Sequence, residues 1–286
     1  MERAGKIRNE DGMKRTEYEL IALDLDGTLL NSQHQITARA KEAIEELLRR
    51  GKQVVFATGR CRGELEEYWT AFPGMRYLIC ESGACVYDRK ADADIWRKPL
   101  DTALILRILD AVAGEDVIAS FFIGNRPFMD KGMKPHLEEF GLKTYARIFD
   151  SNVVWVEDFC SFYRGNPLEA EKINLFFRDG VTRQRVGERM RLLPLSLASS
   201  LAGNLEINAP GVNKGAALQF LCGRLSLPLD KTIAVGDNSN DEQMLETAGL
   251  AAVMENAVPA LKKPGRILAP DCDHDGAAVI MEQYML

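Results

Sequence analysis

The chain has 286 residues, 46% hydrophobic and 27% charged, the proportions of an ordinary globular protein with room for one or two cores. A formal net charge of −6 argues against a general nucleic-acid surface, and six scattered cysteines without a C-x-x-C pair give no spacing for a zinc site. No apolar run reaches the ~20 residues of a membrane span, so the expectation is a cytoplasmic enzyme with reduced thiols and no membrane or nucleic-acid partner.

Met1 to Lys14 is polar and charged, with no apolar signal region. Residues 1–16 are expected to be a loosely attached extension, with Met13 as an alternative start. The first apolar run, from Leu20, ends in Asp24-Leu25-Asp26-Gly27-Thr28-Leu29. Extended residues at i and i+2 point the same way, so Asp24 and Asp26 are expected to converge at the end of a strand. Two carboxylates that close need either a cation between them or one retained proton. An Asp-Gly surface turn accounts for Asp26 and Gly27 but not for a carboxylate at Asp24 inside an apolar strand.

Thr37 to Leu48 reads as an amphipathic helix with Thr37 as N-cap and Gly51 as the stop. Val54 to Ala57 is a wholly apolar strand of the kind buried on both faces in parallel sheets, and it ends in Thr58-Gly59-Arg60. A short acidic helix around Glu64, Glu66 and Glu67 and a strand from Tyr77 to Cys80 follow. The β-α-β-α-β rhythm predicts a doubly wound, Rossmann-like, mostly parallel α/β sheet that gathers ligands beyond its strands' carboxyl ends.

From about residue 92 the rhythm changes. A helix over Leu104–Leu109, a hairpin of Val117–Ile123 with Pro127–Met129, and a strand Lys172–Phe177 are expected. A helix Val181–Leu192 and strands Leu195–Ala198 and Leu205–Ile207 complete an α+β module with an antiparallel sheet, placed at residues 92–208. The α/β rhythm then resumes through residue 286. A helix Lys214–Leu225, a strand Thr232–Val235 and a helix Asp241–Ala248 lead to strands Leu250–Met254 and Arg266–Ala269 and a terminal helix Gly276–Tyr284. The core is thus expected in two parts, 17–91 and 209–286, around an inserted domain.

Asp24 with Asp26, Thr58, Lys214, and the loop Gly236-Asp237-Asn238-Ser239-Asn240-Asp241 each lie just beyond an apolar strand or at a helix start. Phosphoryl transfer needs such an inventory: a nucleophile, a hydroxyl donor, a cation, and carboxylates for a hard metal. In this order the four segments resemble the motifs of the haloacid dehalogenase-like (HAD) phosphatase superfamily. The first is D-x-D-G-T-L at Asp24 to Leu29. The second is the strand-ending threonine, Thr58, the third the lysine, Lys214, and the fourth the acidic loop from Gly236-Asp237 to Asn240-Asp241. The insert resembles the type IIB cap, and the whole is similar to Cof-type sugar-phosphate phosphatases.

The resemblance implies a magnesium-dependent phosphatase acting on a small phosphorylated metabolite through an aspartyl-phosphate. Asp24 would be the nucleophile and Asp26 the acid/base, with Thr58 and Lys214 completing the catalytic set. Thr58, Gly59, Lys214 and Asn240 would bind phosphate. Asp24, Asp26 (through its backbone carbonyl), Asp237 and Asp241 would serve a Mg2+ site. A phosphomutase on the same fold, or a non-catalytic sugar-phosphate-binding regulator, is the alternative. Arg60 either reaches the site or caps the following helix. The run Arg183, Arg185, Arg189, Arg191 reads as a solvated helix face, and His34, His136 and His274 as surface or loop residues. Two departures stand out: Glu81-Ser82-Gly83 where relatives often have Asn-Gly, and Glu255 where they tend to have glycine.

Overall fold

A computed structural model describes residues 18–201 and 203–286, which build two sheets; the expected extension at 1–16, with Met13, lies outside them. The chain begins with β1 (Leu20–Leu23), α1 (Ala38–Arg49), β2 (Gln53–Ala57), α2 (Glu66–Trp69), β3 (Tyr77–Cys80), β4 (Cys85–Asp88) and β5 (Ala93–Arg97). Thr37 caps α1, its hydroxyl accepting from the Ala40 amide at 3.2 Å, and Gly51 follows its end at φ +76°. Strand β1 is apolar throughout because it is central and has no exposed face: all four of its residues are fully buried.

The inserted stretch contributes α3 (Thr102–Val112), β6 (Val117–Ile123), β7 (Arg126–Asp130), α4 (Ala146–Asn152), β8 (Val154–Val156) and α5 (Phe159–Gly165). It continues with β9 (Lys172–Phe177), α6 (Gly180–Met190), β10 (Ser196–Ala198) and β11 (Asn204–Asn208). The chain then returns through α7 (Lys214–Leu225), β12 (Thr232–Gly236), α8 (Glu242–Thr247), β13 (Leu250–Met254), β14 (Ile267–Ala269) and α9 (Gly276–Tyr284).

Strand order in the large sheet is β14-β13-β12-β1-β2-β3-β4-β5, parallel as far as β3 and antiparallel beyond. Register decides the site. Leu23 lies opposite Phe56 on one side and Val235 on the other, so β1, β2 and β12 end side by side. Asp24, Thr58 and Asp237 therefore issue from one edge of the sheet. The second sheet, order β10-β11-β9-β6-β7-β8, is antiparallel except for β7 with β8. Each sheet has its own apolar cluster, and a third, smaller cluster lies under 131–153.

The structure corrects two expectations. β5 falls inside the stretch assigned to the inserted module at 92, yet it pairs with β4 at the edge of the large sheet. Its residues are half-buried or exposed, so it lacks the apolar alternation that announces a strand. The run Arg183 to Arg191 is not simply solvated: Arg185 and Arg189 grip Glu115 beyond the end of α3, and Arg183 donates to the Asn204 carbonyl at 2.9 Å. Among the described residues no helix is long and apolar enough to cross a membrane.

Candidate active site

Lys214 organises the site. As the first residue of α7 it is capped by Asn213, whose side chain accepts from the Ala216 amide at 2.8 Å, and it is completely buried. Its Nζ donates to Asp24 Oδ1 at 2.5 Å and to Asp241 Oδ1 at 2.6 Å. The other oxygen of Asp241 accepts the amides of Asp237 and Asn238, each at 3.0 Å, which folds the loop after β12 back on itself. That fold needs Gly236, because a Cβ there would stand 2.5 Å from the Asp241 side chain. Gly27 has the same task on the first motif: at φ +82°, a Cβ would lie 2.6 Å from Asp237 Oδ2. Asp237 is held by the Thr28 hydroxyl, which donates to its Oδ1 at 3.0 Å.

Three buried carboxylates thus face one ammonium. Burial raises the Asp24 carboxyl well above its usual range, with Asp241 adding to the rise, and burial with the same neighbour raises Asp237. Asp24, Asp237 and Asp241 bring one carboxylate oxygen each to within 4.8 Å of one another. Among the described residues, Asp24 Oδ2 and Asp237 Oδ2 accept no hydrogen bond, whereas both oxygens of Asp241 are engaged. Surplus negative charge with all-oxygen donors fits a hard divalent cation. Asp24 and Asp237 would hold it directly, with Asp241 orienting Lys214 and the loop.

Asp26 does not converge on Asp24, contrary to the i, i+2 expectation. Gly27 turns the chain at once, and the Asp26 carboxylate faces the Arg60 fork, Nε at 2.8 Å and Nη2 at 2.5 Å, with His34 Nδ1 at 3.6 Å. Burial alone would raise its pKa, but Arg60 and His34 outweigh that and hold it well below the usual carboxylate range. The acidic cluster therefore does not include the Asp26 side chain, and Arg60 reaches the site. Thr58 is buried beside it, its hydroxyl accepting from the Arg60 amide at 3.1 Å. His136 and His274 pair with Glu139 and Asp271 at the surface, and Glu255 is exposed.

Above these groups lies a cavity of about 90 Å3 between the two sheets. Asp24, Asp26, Gly59 and Asn240 line it from the core. From the second module come Lys172 and Glu206, which the sequence reading did not single out. Lys172 Nζ donates to the Gly59 carbonyl, and Glu206 accepts from Ser82, which explains the serine at that departure. Lys172 opens β9, and Glu206 alternates with Asn204 and Asn208 in β11, so neither stands out from an apolar run as Asp24 does.

A further buried acid, Glu81, lies outside this cavity at φ +54°, and its Oε2 has no hydrogen-bond partner among the described residues. Burial and Glu171 push its pKa up to about 8. Between pH 4.5 and about 8 the folded chain therefore holds a proton that the unfolded chain has released, so stability falls as pH rises across that window. Glu81→Gln should raise the melting temperature at the alkaline end and change it little at the acid end. Equal shifts at both ends would refute this.

Comparison with known proteins agrees with this geometry. The profile of the haloacid dehalogenase-like hydrolases matches residues 21–281. The phosphatase YwpJ of Bacillus subtilis is 28% identical, over 93% of this chain and all of its own. The 5-amino-6-(5-phospho-D-ribitylamino)uracil phosphatase YcsE of the same organism is 28% identical over 98% of this chain and 99% of its own. A solved haloacid dehalogenase-like hydrolase from B. subtilis superposes with a TM-score of 0.84 at 27% identity, covering 93% of this chain and 100% of that one.

Proposed function

The chain belongs to the haloacid dehalogenase-like hydrolases and is a phosphatase of that family, and we propose that it hydrolyses small sugar-type phosphate monoesters with magnesium, through an aspartyl-phosphate at Asp24. The observation that carries this is Lys214 bridging Asp24 and Asp241 at the floor of the cavity. It holds the Asp24 carboxylate still at the floor of the cavity. The sugar-type substrate is supported by the polar wall of the cavity and by the phosphorylated ribitylamino compound named for one relative.

In the first step one Asp24 carboxylate oxygen bonds to phosphorus, the ester P–O bond breaks, and Asp26 protonates the departing oxygen. In the second, water bonds to phosphorus, the P–O bond to Asp24 breaks, and the water's proton passes to Asp26. Inorganic phosphate leaves, and Asp24 is regenerated. The Arg60 fork holds Asp26 ionised, which suits the second step. The first requires the incoming phosphate to draw Arg60 off, so that Asp26 takes up a proton from solvent before giving it to the departing oxygen. Thr58 and Asn240 would donate to phosphoryl oxygens, and Lys214 would offset the charge between nucleophile and phosphate. A magnesium ion held by Asp24 and Asp237 would neutralise phosphoryl charge. The second module, the expected cap, would exclude water and contact the leaving group.

Phosphate release from a panel of monoesters should be substantial in magnesium and nearly abolished in chelator. Release that ignores the chelator would reject the metal assignment. No release from any ester in magnesium would reject the hydrolase reading.

A further inference from the structure

The turn after β2 gives its three carbonyls to two different parts of the molecule. The Thr58 carbonyl accepts the Ser82 amide and the Arg60 carbonyl the Glu81 amide, each at 2.9 Å. Both ends of the turn are thus tied to the loop after β3 in the same sheet. The carbonyl between them, on Gly59, accepts instead from Lys172 Nζ at the start of β9 in the second module. Gly59 stands directly against that module: a Cβ on it would lie 3.2 Å from Glu206 Oε1 and 3.4 Å from Lys172 Nζ.

Lys172 is buried, with Nζ 4.5 Å from the Phe122 ring centroid, and among the described residues the Gly59 carbonyl is its hydrogen-bond acceptor. Two residues along β9, Asn174 pairs with Glu206, which makes Lys172 and Glu206 diagonal neighbours on one face of the sheet. Burial alone would raise the Glu206 carboxyl, but the Lys172 charge and the Ser200 and Ser82 hydroxyls outweigh it and hold the group below the usual carboxylate range. Desolvation leaves a buried pair of this kind little net stability. What the pair does fix is the direction of the ammonium.

That direction matters because of the peptide it holds. The Gly59–Arg60 peptide is planar, with carbonyl and amide on opposite sides. Its carbonyl end is on Lys172, and its amide end donates to the Thr58 hydroxyl oxygen at 3.1 Å. With that oxygen engaged as an acceptor, the Thr58 hydroxyl keeps its own hydrogen to donate, and it donates to no described residue. A group that sets the tilt of this peptide therefore sets where the Thr58 donor points.

We propose that Lys172 is a positioning residue: reaching over from the second module, it acts through the Gly59–Arg60 peptide to aim the Thr58 hydroxyl at the phosphoryl group. This rests on the hydrolase reading and deepens it, since seating the second module on the core then completes the phosphate-binding turn.

The test is a double-mutant cycle of Lys172→Met and Thr58→Val, read as kcat and KM on several esters in magnesium, with a melting curve for each variant. Lys172→Met should lower kcat by about tenfold or more, the scale of a misplaced catalytic group, with KM nearly unchanged. The loss should be alike for every ester, because the phosphoryl group is common to all. In Thr58→Val, where no hydroxyl remains to aim, the same substitution should change kcat by no more than about twofold. If Lys172→Met alone does not fold, Lys172→Met with Glu206→Gln strands no charge and takes its place in the cycle. An unchanged kcat, or equal losses in both backgrounds, overturns the proposal. So does a loss confined to KM or to esters of one alcohol, which would mean that Lys172 touches the leaving group itself. Silence of the unaltered chain on every ester removes the hydrolase reading, and this inference with it.

Discussion

Asp24→Asn should reduce phosphate release by roughly 10³-fold or more, because an amide oxygen is a poor nucleophile and no neighbouring carboxylate can take its place. Asp26 is turned to Arg60, Asp241 has both oxygens committed, and Asp237, held by Thr28, would be taken up by the cation. The fold should not suffer. The Asp24 carboxyl is held above its usual range by burial and by Asp241, so its ionised form costs stability at neutral pH that an isosteric amide does not. The expected result is therefore an inactive chain with an equal or higher melting temperature, the trade between activity and stability common at active sites. Retained activity, or collapse of the fold, would contradict it.

Lys214→Met should fail on both counts. It removes the ammonium between Asp24 and Asp241 while keeping most of the side chain's volume, leaving like charges buried together. Breaking a buried pair by deleting one partner costs about 3–5 kcal/mol. The loss, followed by thermal or urea melts in chelator, should be largest at alkaline pH and shrink in acid, where the orphaned carboxylates take up protons. Adding Asp24→Asn to Lys214→Met should restore part of the stability without restoring activity, since the two side chains are in direct contact. Strictly additive losses would mean that the bridge is not the stabilising unit.

The core was legible because its signals are local. Apolar strands ending in Asp24, Thr58 and Gly236-Asp237 disclose both the parallel sheet and the edge where its ligands gather, and register then brings them together. The direction of Asp26 was not legible, since it depends on where Gly27 sends the chain and on Arg60 arriving from the next strand. The second module was read in outline, from β6, β7, β9 and β11. Residues 131–165 gave no reading: Lys131–Phe140 is a 3-10 stretch containing Pro135, and α4, β8 and α5 are each too short for a clear period. That stretch supplies Leu142, Tyr145, Ile148 and Phe149 to the cavity, so part of its wall was hidden while Asp24, Thr58, Lys214 and Asp237 were plain.

An Asp24 nucleophile becomes covalently phosphorylated during turnover. Borohydride added during turnover reduces an acyl phosphate to an alcohol, converting the attacking aspartate to homoserine, which peptide mass spectrometry locates by residue. Homoserine is expected at position 24, with unmodified aspartate at Asp26, Asp237 and Asp241. Modification at any other carboxylate, or none in a chain that is releasing phosphate, would contradict it.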